Sequence, residues 1–247
     1  MNRQDLSTML WKERKSMFKM RGRRSQFIML MVTPLLLAVI FPIQMGQDWL
    51  ESGLNLTVAV IVPMLFVGTS IPDSFAGERE RRTLSTLLAS RLSDRAIFFG
   101  KITVSVLFGW GMALAFIIVS TLAVNIASWD GQFHLYSTPL LIGNVLLSLL
   151  MAILTAGAGV LFSLRSDTVQ QAQQSLMAVM LIPFVLGQVV VFILLSSQGG
   201  RERLRELTQQ VTVEQVVIVA ALLMSGLAAG LFWAAVRRFQ RERLILS

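Results

Sequence analysis

The chain has 247 residues, 54% of them hydrophobic and only 15% charged, with a net charge of +8 and no cysteine. Soluble domains carry about 25% charged residues, so this chain lacks the polar residues to coat a globule of its size. The missing cysteine excludes disulfides, thiolate metal sites and cysteine nucleophiles.

The basic excess fits Lys and Arg retained beside a membrane better than the footprint of a nucleic-acid binder; no nucleic-acid partner is expected. At the N-terminus, Leu6, Met9, Leu10, Met17 and Met20 share an arc at helical spacing, interrupted by Glu13. Lys12, Lys15 and Lys19 lie on another arc. This pattern predicts a basic amphipathic helix in the headgroup layer, with an ordinary solvated lead-in as the alternative.

About 20 apolar residues, at 1.5 Å per residue, cross a hydrocarbon core of roughly 30 Å. Six stretches meet that requirement: residues 26–45, 54–71, 102–126, 140–164, 176–196 and 213–236. Only Glu214 brings a charge into any of them. The first is expected to be a permanent span, because Gln47-Asp48-Trp49 offers no small-x-small cleavage site. The expectation is one all-α membrane domain over residues 1–247.

Arg and Lys set the direction. All basic residues but Arg201, Arg203 and Arg205 fall before the first span, after the second or fourth, or in the tail. The positive-inside rule makes that side cytoplasmic, and an even number of crossings puts both termini there. The exception, residues 201–211, places Leu204, Leu207 and Val211 on one face and pairs Glu202 with Arg205 and Arg203 with Glu206. It predicts a short external amphipathic helix.

Residues 72–101 form the longest cytoplasmic loop. After Pro72, Asp73 or Ser74 can cap a helix, and Leu84, Leu87, Leu88 and Leu92 then recur on one face. Glu78 and Arg82 stand at i, i+4 in the favourable order. Ser93-Asp94 offers a second cap, and Lys101 can snorkel at the interface. The expected form is a charged two-helix elbow whose leucine face packs on its own N-terminal helix or docks in a partner's groove.

The spans hold no acid, base or histidine of the kind that marks proton relays. Asn125, Asn144, Ser148, Thr155 and Gln188 are candidates for helix–helix hydrogen bonds. Gly109 with Ala113, and Gly226 and Gly230 with Ala234, mark close helix packing. His134, beside Phe133 and Tyr136 in an external loop, is expected to be an interfacial residue rather than a metal ligand. No phosphate-binding G-x-x-x-x-G-K-[ST] loop is present; Gly100-Lys101 is followed by Ile102.

The loop resembles that of the permease subunits of type-2 ATP-binding-cassette exporters, which reads like F-x-G-E-R-E-x-G-T-L-E-x-L-L-x-S-P-x-S with a later G-K. The match runs through Phe75, Gly77, Glu78, Arg79, Glu80, Thr83, Leu84, Leu87, Leu88, Ser90, Ser93, Gly100 and Lys101. It departs at Arg82 for the usual glycine, at Ser85 for glutamate and at Arg91 for proline.

The resemblance implies a transport subunit of a prokaryotic inner membrane that pairs with a second permease, identical or related. Two separate ATPase subunits would bind ATP and Mg, with no cofactor in this chain. It implies coupling through Gly77, Glu78, Arg79, Glu80, Arg82, Thr83, Leu84, Leu87 and Leu88, the alternative being that these residues hold the elbow's own fold. It also implies a route beside the second and fifth spans, with Phe184 and Gln188 as candidate lining. The competing functional expectation is a membrane-embedded scaffold that anchors a cytoplasmic partner without moving substrate. An ion-coupled carrier ranks last.

Overall fold

The structure, a computed structural model, describes residues 9–13, 15, 24–83, 93–197, 199, 202 and 212–238. Helix α1 spans Arg24–Met45, α2 Asp48–Glu51, α3 Leu56–Glu80 after a 3-10 turn at Gly53–Asn55, and α4 Asp94–Ala127. Helices α5 (Thr138–Ser163), α6 (Val169–Ser196) and α7 (Val213–Arg238) complete the bundle. Residues 9–13 are also helical.

Among the described residues there is no strand. Five helical segments are long and apolar enough to cross a membrane: Gly53–Glu80, Arg95–Ala127, Thr138–Ser163, Val169–Leu194 and Val213–Arg237. Helix α1 has 22 residues, with the apolar stretch Pro34–Met45. Residues 201 and 203–211, where the external helix is expected, lie outside the described residues.

Helices α3 and α5 are the inner pair, and glycines set how closely neighbours approach them. A Cβ on Gly159 of α5 would stand 2.9 Å from Ile71 of α3. One on Gly157 would stand 3.2 Å from Leu231 of α7, and one on Gly109 of α4 only 2.4 Å from Val67 of α3. Such small residues let helices pack where lipid supplies no hydrophobic drive between them. Gly226 and Gly230 face open space instead, so that stripe makes no close packing within the described chain. The far half of α6 is exposed at Leu181, Ile182, Val185, Leu186, Val189 and Val190.

One sequence expectation fails at Pro72. Asp73 and Ser74 do not cap a new helix, because α3 runs through Pro63 and Pro72 to Glu80. Proline removes one hydrogen bond, a loss that membrane helices tolerate. Tertiary burial holds the extension: Phe75 meets Phe98 of α4 edge-on at 6.3 Å, and Ala76 packs with Val169 and Ala172 of α6. The second span and the start of the loop are therefore one rod.

Candidate functional site

The rod ends in a glycine-type turn without glycine. Arg82 has φ +56°; its N–H donates to the Arg79 carbonyl at 2.9 Å and the Thr83 N–H to the Glu78 carbonyl at 2.9 Å. These two bonds make a Schellman motif with Arg82 at the left-handed position. Glycine is favoured there because a Cβ is penalised. Arg82 therefore does not pair with Glu78 as its i, i+4 spacing predicts, and it stands where the related loops carry glycine.

Three consecutive charged residues each grip a different helix. Glu78 Oε1 lies 2.9 Å from Lys101 Nζ on α4. Arg79 Nη1 donates to the carbonyls of Leu164 at 3.4 Å and Ser166 at 3.2 Å, just past the end of α5. Glu80 Oε2 accepts from the Val169 N–H at 3.0 Å, the first residue of α6. Arg79 thus places positive charge where α5 leaves carbonyls unpaired, and Glu80 places negative charge where α6 leaves N–H groups unpaired. Both match the helix dipoles.

Gly77 completes the arrangement by leaving room. Arg81 Nη2 donates to Asp73 Oδ1 at 2.7 Å, and a Cβ on Gly77 would stand 3.2 Å from both atoms and 3.3 Å from Val169.

Lys101 does not snorkel; it is 2% exposed. Its three ammonium hydrogens are matched by the Ser74 carbonyl at 2.7 Å, Glu78 Oε1 and Glu13 Oε1 at 3.3 Å. The Phe75 ring lies 5.5 Å from Nζ. A buried cation is tolerated only when paired and hydrogen-bonded in this way. Glu13, which reads as a flaw in an apolar arc, is the buried partner of a residue on α4. Sequence reasoning missed both Glu13 and Lys101 as members of this cluster. The signal available was the charge standing on the apolar face.

Ser93 caps α4 as expected, its Oγ accepting from the Ala96 N–H at 3.3 Å. Thr83 Oγ1 donates to the Glu78 carbonyl at 3.3 Å and is exposed. Leu84, Leu87, Leu88 and Leu92, and the side chains of Phe184 and Gln188, lie outside the described residues.

The opposite end is fastened by neutral bonds and one carboxylate. The Trp49 indole donates to Tyr136 Oη at 3.2 Å, and Ser120 Oγ shares a 2.5 Å bond with that hydroxyl. Burial raises the Tyr136 phenol above its usual value, against the effect of these bonds. Asn125 Nδ2 donates to the His134 carbonyl at 2.8 Å, and Asn144 Nδ2 to Asn55 Oδ1 at 2.8 Å. Ser148 bonds within its own helix, and the buried Thr155 Oγ1 has no hydrogen-bond partner among the described residues.

Asp130 Oδ2 accepts from Gln47 at 3.1 Å and lies 3.0 Å from His134 Nε2. The Gln132 N–H and then His134 hold its carboxyl below the usual value. Among the described residues no three His, Asp or Glu stand together to hold a metal ion.

Apolar helices of membrane-crossing length, gathered at one end by a single charged turn, define a multi-pass helical membrane protein. A family model described as ABC-2 family transporter protein matches residues 42–201. The chain belongs to that family and is a membrane permease subunit of an ABC transporter. Among curated proteins no relative matches.

Proposed function

We propose that this permease crosses a prokaryotic inner membrane six times, with α1 as the first crossing and both termini cytoplasmic. It forms the export route with a second permease and is driven by two ATPase subunits that bind ATP and Mg beneath it. The observation that carries this reading is the convergence of Glu78, Arg79 and Glu80 on α4, the end of α5 and the start of α6. A force applied to residues 72–101 is passed through these bonds to three other helices, since charge-assisted hydrogen bonds resist displacement.

In this reading Leu84, Leu87 and Leu88 offer the apolar face to the ATPase, and Gly77 through Thr83 transmit its motion inward. Phe184 and Gln188, on a helix whose outer half packs little within the chain, are assigned to the route between the two permeases. Purification of the tagged chain from its own membranes is expected to bring a nucleotide-binding subunit with it. Arg79→Ala is expected to leave that subunit bound while lowering ATP-driven transport at least tenfold. A complex lacking any nucleotide-binding subunit would overturn the reading, and full transport by Arg79→Ala would overturn the coupling role. A bound partner with no transport in the parent protein would favour the scaffold.

A further inference from the structure

Lys101 serves two carboxylates, Glu78 on α3 and Glu13 well ahead of α1, and the surroundings of Glu13 are shaped to receive it. Met9 is fully buried, and the space it fills exists because residue 100 is glycine. A Cβ there would stand 2.6 Å from Met9 Cγ and 3.0 Å from Met9 Cβ. Met9 and Glu13 are one helical turn apart, so the residue after Gly100 meets Glu13 with its ammonium. The other side of the turn faces out: Trp11 is 57% exposed, with Lys15 Nζ 4.7 Å over its ring. Lys12 Nζ approaches Glu78 Oε1 to 3.8 Å.

We propose that Gly100 and Lys101 form the docking site of the N-terminal helix, and that Lys101 is a positioning residue. By holding Glu13 and Glu78 together it makes that helix travel with the end of α3. The sense of this motion rests on the coupling reading above; the docking itself does not. Glycine supplies the niche, lysine the electrostatic lock, and the shared Glu78 joins the docked helix to the turn that grips α5 and α6. Force entering residues 72–101 then also reaches the segment ahead of α1.

The absence of native cysteine allows a single-residue test on the full chain in its membranes. A water-soluble maleimide is expected to label Met9→Cys at least tenfold more slowly than Trp11→Cys. Adding Lys101→Met should raise the Met9→Cys rate at least tenfold, whereas Lys101→Arg keeps it low. Glu13→Gln, which leaves the Lys101–Glu78 pair in place, should also raise it and keeps the test decisive if Lys101→Met does not fold. Equal labelling of Met9→Cys and Trp11→Cys would overturn the docking, as would a rate indifferent to both Lys101→Met and Glu13→Gln.

Joint motion is read from the same label: the low Met9→Cys rate should stay within twofold when ATP is added to the ATPase-containing complex, and a tenfold rise on adding ATP would overturn it. Labelling needs no ATPase, so failed docking is distinguishable from a complex without a nucleotide-binding subunit.

Discussion

Lys101 Nζ and Glu78 Oε1 lie 2.9 Å apart where α4 begins and α3 ends, with the lysine almost wholly buried. Glu78 Oε2 has no hydrogen-bond partner among the described residues. The carboxylate therefore takes its charge balance mainly from Lys101, with the more exposed Lys12 Nζ farther off at 3.8 Å. Removing one member of such a buried cluster strands the others in a poor solvent for ions, which is more damaging than removing them together.

Lys101→Met is accordingly expected to destabilise the protein by about 3 kcal/mol or more, the usual cost of an orphaned buried charge. Adding Glu78→Gln and Glu13→Gln should recover part of that loss. Thermal unfolding of the purified variants in one detergent checks the order, and a triple variant less stable than the single one would contradict it.

Arg82→Gly should stabilise the chain. Left-handed backbone costs a residue with a Cβ about 1–2 kcal/mol, partly offset by the greater freedom glycine has in the unfolded chain. A net gain of about 0.5–1 kcal/mol is expected. Arg82→Val, with a branched Cβ at φ +56°, should lose stability. The same unfolding assay reads both signs.

Glu80→Ala removes the acceptor of the first N–H of α6 and a charge that complements its dipole. Thr168 still caps the Gln171 N–H at 3.2 Å, so the loss should be about 1 kcal/mol. It should appear locally, as faster amide exchange at Val169 than at the centre of α6. Arg79→Lys should speed exchange around residues 164–169, since an ammonium lacks the fork that reaches two carbonyls.

Gly109→Ala and Gly68→Ala make a matched comparison. The added carbon at Gly109 meets Val67 Cγ2 at 2.4 Å, on a stiff β-branched side chain of α3, one of the two inner helices. At Gly68 it meets the end of Met177 at 2.3 Å, and a methionine tip can swing away. Gly109→Ala is expected to cost about 1–3 kcal/mol and Gly68→Ala less. Unfolding midpoints of the two variants, measured side by side, decide it.

The sequence by itself marked the five helices of membrane-crossing length, because spanning hydrocarbon demands long uncharged helices that read directly as apolar runs. It also marked Gly77 through Glu80 as unusual, and Ser93 as a cap, since capping chemistry is local. Tertiary structure alone decided what the marked residues hold. Glu13 and Lys101 are far apart in sequence, and neither periodicity nor spacing encodes a partner on another helix. Pro72 and Ser74 carry local signals for a break, yet burial of Phe75, Ala76 and Gly77 against α4 and α6 keeps the helix going. Arg82 stands in the left-handed region because the end of that rod requires a Schellman turn there. The motif's identity was legible in the sequence; the three helices it grips became visible only when the fold brought their ends together.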